Sequence, residues 1–335
     1  MSTDVNDDAT AIDTVTKGID QVDISSNNDN TSEEVIQETC ASCGKEGNSG
    51  GMNMCNKCKS VKYCNAACKK KHRKKHKKAC EKRVAELHEE ALFKEADPEE
   101  CPICFLPIPI ETNESTFETC CGKKICNGCV YAMLTNEGKD ICAFCRTPPQ
   151  SSDASEHISR LNKLIDNGNA NACTTLGGCY LNGTMGMPQN YQKANELYLK
   201  GGELGCAQGY FNLARSYGNG MGVEFDRTKT KQYLELAAMN GHVQARHHLG
   251  VLEYEAGNYH RALRHVTLAA RAGNTESLDG IKQGFMDGVI TKDEYASTLS
   301  AHHERQKEMK SDMRVKAADM LDDVYASILR AQLER

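Results

Sequence analysis

The sequence has no tryptophan, and only 6% of its 335 residues are aromatic. It also has no apolar run long enough to span a bilayer. The first ten residues, MSTDVNDDAT, are acidic and lack the apolar segment of a secretory signal. The formal net charge of −5 argues against a general nucleic-acid coat protein. We therefore expect a protein of a reducing compartment, in the cytoplasm, the nucleus or both.

Cysteine is the residue present in excess, with 18 copies in the chain. In a reducing compartment, so many cysteines indicate metal binding rather than disulfides. Seven cysteines fall between Cys40 and Cys80, and eight fall between Cys101 and Cys145. The three that remain, Cys173, Cys179 and Cys206, are expected to be buried packing residues. The distribution predicts two small metal-binding modules.

Composition divides the chain into segments of different character. Residues 1–39 are polar and acidic with few aromatic side chains, so they cannot bury enough surface to offset the entropy of ordering. We expect a multidomain fold with a disordered N-terminus, two small zinc-stabilised α+β fingers and an all-α solenoid of helix-turn-helix repeats. The predicted divisions are a disordered acidic tail at 1–39, a finger at 40–80, a helical linker at 81–98, a finger at 99–147, a solenoid at 157–290 and a C-terminal helix at 291–335.

The first cluster contains eight candidate metal ligands arranged in close pairs: Cys40/Cys43, Cys55/Cys58, Cys64/Cys68 and His76/Cys80. Two residues between cysteines let both thiolates reach one ion from a tight turn. Three residues between the members of a pair place both on one helix face. Four ligands close a tetrahedron, so both sites would be structural. His72 is an alternative ligand to His76, but the spacing to Cys80 favours His76.

The stretches CASC, CNKC, YCNAAC and HKKAC resemble a MYND-type zinc finger over residues 40–80. The resemblance implies interleaved sets, with Cys40, Cys43, Cys64 and Cys68 on one zinc and Cys55, Cys58, His76 and Cys80 on the other. Family members bind proline-rich peptides in a groove formed partly by a glutamine and a tryptophan. Lys69 and Arg73 stand at those positions here, so the resemblance leaves peptide binding by this finger open.

The second cluster also contains eight candidate ligands in pairs: Cys101/Cys104, Cys120/Cys121, Cys126/Cys129 and Cys142/Cys145. With the first cluster they make sixteen ligands, enough for four zinc ions with none left over. Cys120 and Cys121 are adjacent, and adjacent side chains need an unusual backbone to share one ion. Either both bind the ion, or one is a bystander and another group completes the site.

The stretches CPIC, CCGKKICNGC and CAFCR resemble an all-cysteine RING-type finger over residues 101–146. The cross-brace of that family implies one zinc held by Cys101, Cys104, Cys126 and Cys129, and a second held by Cys120, Cys121, Cys142 and Cys145. Many members are ubiquitin ligases, which hold a charged ubiquitin-conjugating enzyme and have no nucleophile of their own. Ile103 and Arg146 match contacts to that enzyme; Met133 stands where an aromatic is common and Ala143 where a proline is common.

Residues 168–273 form an internal repeat. The segments LGGCYLNGTMG, LARSYGNGMG and LGVLEYEAGN begin at Leu176, Leu213 and Leu249, at offsets of 37 and 36 residues. Each unit reads as a helix, a glycine-rich turn, a second helix and a glycine stop, with a shortened turn in the third unit. The pattern resembles the Sel-one-like repeat, a relative of the tetratricopeptide repeat. This implies a solenoid that leaves a concave face for protein partners.

The basic run between residues 69 and 83 is open to two interpretations. It is either a solvated helix face or a segment for nuclear import or phosphate contact. Sequence-specific DNA recognition is not expected, because aromatic side chains do not interleave the lysines. Taken together, the segments predict a zinc-binding adaptor whose partners are proteins. The alternative is a RING-type ubiquitin ligase that selects substrates through the solenoid.

Overall fold

The computed structural model describes residues 39–47, 51–110, 114–135, 141–142, 144–148 and 154–321. The chain divides into two compact units, Met1–Lys94 and Glu95–Arg335. Residues 1–38 of the predicted disordered tail lie outside the described residues, as does the C-terminal stretch after 321. Within the residues that the structure describes, no helix combines the length and apolarity needed to cross a bilayer.

The first unit contains a small two-stranded sheet and one long helix. Strand β1 (Asn53–Met54) pairs antiparallel with β2 (Lys62–Tyr63), and helix α1 spans Ala66–Leu92. The Asn65 side chain accepts the N–H of Cys68 at 2.8 Å and caps the helix. Cys64 precedes this cap, so the prediction that Cys64 and Cys68 share a helix face is wrong.

Helix α1 continues without a break past Cys80, through most of the segment expected to be a separate linker. Neither proline nor glycine interrupts residues 66–92, and exposed i,i+4 pairs such as Lys77–Glu81 and Lys82–Glu86 support the second half. The predicted linker helix is therefore largely an extension of the finger's own helix.

The second unit begins with the second cysteine-rich segment. Strand β3 (Ser115–Glu118) pairs antiparallel with β4 (Lys123–Cys126), in a register that sets Ser115 opposite Cys126. Helix α2 (Asn127–Thr135) follows directly. Cys101, Ile108, Ile125 and Cys126 form a buried core beneath these elements. The expectation of two small α+β fingers is confirmed.

The rest of the second unit is a stack of antiparallel helices, which confirms the predicted solenoid. The helices are α3 (Ala154–Asp166), α4 (Ala170–Asn182), α5 (Tyr191–Glu203), α6 (Ala207–Asn219), α7 (Arg227–Met239), α8 (Val243–Glu255), α9 (Tyr259–Arg271), α10 (Thr275–Met286) and α11 (Lys292–Glu308). The third pair, α8 and α9, is joined by only three residues, as the shortened turn predicted. Cys173, Cys179 and Cys206 are buried in this stack.

The solenoid has two edges with different neighbours. The turns within each helical pair, at 183–190, 220–226, 256–258 and 287–291, make one edge, which we call the intra-pair edge. The turns between successive pairs make the inter-pair edge, and the second finger packs there. Asn169 Nδ2 donates to the Gly122 carbonyl at 3.2 Å, and Arg271 forms an ion pair with Glu95 at 3.3 Å. Phe117 packs on the core of the first helices.

Helix α11 covers the end of the solenoid. It begins with a capping box in which Thr291 and Glu294 satisfy each other's backbone N–H groups. Its buried His302 contacts the Ala270 carbonyl through Nδ1 at 2.9 Å, and Gln306 Nε2 donates to the Gly273 carbonyl at 2.8 Å. These contacts join α11 to the C-terminal end of α9 and to the turn that follows it. A second helical stretch follows at 312–321.

Candidate metal centres

The structure brings the sixteen predicted ligands together in four groups, with the ligand atoms of each group within 4.8 Å of one another. The groups are Cys40, Cys43, Cys64 and Cys68; Cys55, Cys58, His76 and Cys80; Cys101, Cys104, Cys126 and Cys129; and Cys120, Cys121, Cys142 and Cys145. The sets interleave in both fingers, as the two family resemblances imply.

Four of the cysteine pairs share one local backbone geometry. The residue after the second cysteine lies in the left-handed region, and its N–H donates to the carbonyl of the first cysteine. Its φ is 71° at Gly44, 53° at Lys59, 57° at Phe105 and 56° at Arg146, and the four hydrogen bonds measure 2.8–2.9 Å. The turn directs both thiols of a pair to the same side. Three non-glycine residues therefore adopt a strained backbone conformation so that these turns can form.

His76 is the imidazole that joins the second group. Its Nε2 lies 3.2 Å from Cys58 Sγ, and it is buried on α1 one turn before Cys80. His72 points elsewhere: its Nδ1 lies 3.2 Å from the Tyr63 hydroxyl, and its ring stacks on His76 at 5.7 Å. His72 therefore supports the ligand from the neighbouring turn.

Cys120 and Cys121 lie in the turn between β3 and β4. Gly122 has a φ of 71° and donates its N–H to the Glu118 carbonyl at 2.7 Å, which closes the turn tightly. This backbone lets two adjacent thiols face one point, and Cys121 Sγ lies 3.6 Å from Cys142 Sγ. Both adjacent cysteines belong to the fourth group.

The sulfur separations fit a tetrahedral metal site. The neighbouring Sγ atoms are 3.7 Å apart for Cys43 and Cys64, 3.8 Å for Cys55 and Cys80, 3.8 Å for Cys101 and Cys129, and 3.7 Å for Cys104 and Cys126. A tetrahedron with Zn–S bonds of about 2.3 Å has edges of about 3.8 Å. A disulfide would need about 2.05 Å. Thiolates and one imidazole are the donors that zinc prefers, so the residues fit zinc.

Backbone N–H groups prepare particular thiols for ionisation. Burial raises the pKa of Cys55, but the N–H groups of Cys58 and Lys57 outweigh it and lower the pKa to about 6. Burial opposes the backbone donors at Cys101 in the same way, and its pKa is also about 6. The pKa of Cys80 is raised to about 12, first by burial and then by the neighbouring thiols. Each set therefore resists full ionisation unless a cation neutralises it.

The residues predicted to contact a conjugating enzyme have different environments. Ile103 and Met133 are partly buried and pack against the core of the second finger. Arg146 is exposed directly after the last ligand. Ala143 lies outside the described residues. Arg314 is a further residue at this finger that the sequence reasoning missed, because it is about 200 positions later in the chain and no motif contains it.

The basic residues between 69 and 78 lie mostly on the exposed side of α1, while His76 turns inward. Lys69 is partly buried, and its Nζ donates to Asn56 Oδ1 at 3.0 Å. This arrangement agrees with a solvated helix face that also lines the first finger.

Family comparisons agree with two of the three resemblances. Residues 40–80 match the MYND finger, and residues 170–206, 207–242 and 243–274 each match the Sel1 repeat. The chain therefore carries a zinc-binding MYND finger and three Sel1 repeats. The resemblance of residues 101–146 to a RING-type finger stays a prediction.

Similar proteins cover parts of the chain. Cytochrome c oxidase assembly factor 7A from Xenopus laevis is 30% identical over 122 residues, which are 35% of this chain and 50% of that protein. The chain thus spans about half the length of this curated relative. A Sel1 repeat protein from Oxalobacter formigenes is 24% identical with a TM-score of 0.41, covering 53% of this chain and 70% of that one. The antigen c5321 from uropathogenic Escherichia coli, which has an SLR fold, is 22% identical with a TM-score of 0.41, covering 58% and 39%.

Proposed function

We propose that this protein is an adaptor in which four zinc ions hold two fingers in shape and the solenoid binds a protein partner through its intra-pair edge. Tetrahedral zinc with four protein donors has no open coordination position, so its contribution here is structural. The donor sets and their sulfur separations support this use of zinc.

The observation that carries the adaptor proposal is the recurrence of exposed apolar side chains along the intra-pair edge. Single exposed apolar residues are ordinary on protein surfaces. Here they recur at the same turn of successive helical pairs, so the stacking of the repeats places them along one edge. The exposed side chains at these turns and the adjoining helix ends are Met185, Tyr191, Phe225, Tyr254, Tyr259, Met286 and Val289.

Aromatic side chains dominate the middle of this edge. Tyr254 and Tyr259 are 66% and 63% exposed and form an edge-to-face pair with ring centroids 5.3 Å apart. Phe225, at the preceding turn, is 63% exposed. An ion pair between Arg227 and Glu255 at 2.6 Å joins the same two turns. Exposed aromatics bordered by charged groups are typical of the energetic centre of a protein interface, so the partner is expected to offer an apolar surface with a polar rim.

Part of the inter-pair edge is covered by other residues of the second unit. The second finger covers part of the inter-pair edge through Gly122 and Phe117, and Glu95, which precedes the finger, pairs with Arg271 at the same edge. The exposed apolar side chains named above lie at the other, intra-pair edge. This division supports a role in which the second finger is part of the scaffold while the intra-pair edge recruits a protein partner.

The partner surface is tested with the double variant Tyr254→Ser/Tyr259→Ser. Proteins captured from cells by the wild type are identified, purified and measured for direct binding by calorimetry. The double variant should weaken the binding of a genuine partner at least tenfold, because truncating a single hot-spot aromatic costs about 2 kcal/mol or more. Phe105→Ser, on the exposed surface of the finger, is the matched control and should bind normally. A partner that binds the double variant normally but binds Phe105→Ser more weakly would contradict the assignment to this edge.

The number of ions is tested by measuring zinc per chain for the wild type beside Cys120→Ser and Cys121→Ser. We expect four zinc ions in the wild type and a loss of one in each variant, because each removes a donor from the fourth group. Retention of four ions by either variant would show that the corresponding cysteine is a bystander.

A second candidate function is recruitment of a ubiquitin-conjugating enzyme by the second finger. The exposed Arg146, directly after the last ligand, is the observation that favours it. Arg146→Ala should then abolish ubiquitin chain formation with a panel of conjugating enzymes and leave the zinc content unchanged. Absence of chain formation by the wild type across the panel would exclude this function.

A further inference from the structure

The segment after α11 returns to the second finger and places Arg314 against one of its metal centres. Nη1 of Arg314 donates to the Pro107 carbonyl at 2.7 Å and to the Met309 carbonyl at 2.6 Å. Nη2 reaches the Leu106 carbonyl at 3.4 Å and Cys104 Sγ at 3.6 Å. The guanidinium thus spans the loop that follows Cys104, and its fork of donors suits several acceptors at once.

The backbone around Arg314 also lies against the other side of the same centre. A Cβ placed on Gly128 would lie 2.8 Å from the backbone nitrogen of Arg314 and 3.0 Å from the backbone carbon of Met313. Gly128 stands between the ligands Cys126 and Cys129 at the start of α2. The C-terminal segment therefore contacts both halves of the third group, the Cys101/Cys104 turn and the Cys126/Cys129 turn.

The charges of the two groups in this contact are complementary. Four thiolates around Zn²⁺ carry a net charge of −2, and Arg314 supplies a cation at hydrogen-bonding distance from one of them. Arg314 makes no ion pair with a carboxylate among the residues that the structure describes, so the sulfur group is the anionic partner that the geometry offers. An outer partner of this kind fixes the orientation of a metal ligand and favours its charged form.

We propose that Arg314 is a positioning residue for the Cys101/Cys104/Cys126/Cys129 centre, and that residues 309–321 close over this centre only while its four thiolates are held together. The inference rests on the proposed zinc occupancy of that centre. It makes the C-terminal segment a latch, because loss of the ligand set would remove the anionic acceptor of the guanidinium and leave it only backbone carbonyls.

The rate of zinc transfer to a coloured chelator tests the first part on the full-length protein. Arg314→Ala should speed release of one of the four ions about tenfold, the usual cost of removing an outer partner. Arg314→Lys should release that ion at an intermediate rate, since it keeps the charge and loses the fork. Lys316→Ala, an exposed cation on the same helical stretch, should match the wild type. Gly128→Ala keeps every ligand and should accelerate release by displacing the backbone of the segment.

Hydrogen exchange tests the latch. Cys101→Ser should raise exchange across 309–321 and leave α5 and α6 protected. The two proposals fail in different ways. An unchanged zinc content in Cys101→Ser would overturn the zinc occupancy of this centre. Loss of one zinc in Cys101→Ser, together with wild-type release rates in both Arg314→Ala and Gly128→Ala, would overturn the role of Arg314 alone.

Discussion

At the scale of single residues, the two histidines on consecutive turns of α1 have different roles. His76 Nε2 lies with the thiols of the second group, while His72 contacts the Tyr63 hydroxyl. His76→Gln should lose one zinc ion, because glutamine cannot replace the imidazole donor. His72→Gln should retain all the zinc and lose only the contacts of the imidazole with Tyr63 and His76. Zinc analysis of both purified variants checks this, and an equal loss from both would show that the imidazoles exchange as ligands.

The ligand residues could be predicted from the sequence because the geometry that groups each pair is local. In four of the pairs a turn of five residues sets two thiols side by side, and that turn needs only Cys-x-x-Cys followed by a residue that tolerates a left-handed φ. Cys64 joins its predicted group but does not share a helix face with Cys68, because the helix begins only after its cap at Asn65. Arg314 could not be predicted, since its contacts to Leu106 and Pro107 depend on how the solenoid returns the chain to the finger.

At the scale of elements, close helix approach depends on which glycine faces a neighbour. A Cβ on Gly209 would lie 2.6 Å from the Tyr198 carbonyl and 2.8 Å from the Gly202 nitrogen, both backbone atoms of α5. Gly209→Ala should therefore lower the free energy of unfolding of the solenoid by about 1–3 kcal/mol. Gly178, inside α4, has nothing within 4 Å of an added Cβ. Gly178→Ala should raise the free energy of unfolding of the solenoid by up to about 1 kcal/mol, since alanine favours the helix. Urea unfolding of both variants checks the contrast, and destabilisation by Gly178→Ala would contradict it.

The cap of α8 makes the solenoid sensitive to acid. His242 Nδ1 accepts the Ala245 N–H at 3.1 Å, so its Nε2 carries the proton and donates to Gln208 Oε1 at 3.1 Å. Burial, followed by electrostatic repulsion from Lys124 and His248, lowers the pKa of His242 to about 3. The unfolded chain takes up a proton near its ordinary pKa of about 6.5, whereas the folded chain does not. The contribution of His242 to stability is therefore intact above about pH 6.5 and falls by about 1.4 kcal/mol at about pH 5.5.

His242→Asn tests this dependence, because asparagine caps α4 and α10 at the equivalent positions Asn169 and Asn274. The variant should lose some stability at about pH 8, since the ring stacks on Phe211 at 4.3 Å. When the pH falls from about 8 to about 5.5, its free energy of unfolding should decrease by about 1.4 kcal/mol less than that of the wild type. Zinc release in acid is common to both proteins and cancels in the difference. An identical pH dependence in the two proteins would exclude His242 as the source.

At the scale of the whole molecule, the helical pairs were predictable from a repeat of glycine and leucine positions, but the position of the second finger was not. Its contacts with the solenoid are made by single residues of ordinary type, such as Asn169, Gly122 and Phe117. Nothing in their local sequence marks them for that use. The repeat pattern sets which turns lie on one edge, whereas the complementarity of finger and solenoid appears only when the chain is folded.

The division into two units predicts that the two fingers differ in their effect on the solenoid. The core of the first finger contains residues between Cys40 and Val84 alone, whereas the second finger shares packing and hydrogen bonds with the solenoid. Cys55→Ser and Cys101→Ser remove equivalent, buried first cysteines of a Cys-x-x-Cys pair. Cys101→Ser should lower the melting temperature of the solenoid by roughly 2–4 °C for each kcal/mol of lost contacts, while Cys55→Ser should leave it unchanged. Thermal unfolding followed by far-UV circular dichroism measures both. Equal shifts would mean that the fingers stabilise the molecule jointly, and the separate first unit would have to be abandoned.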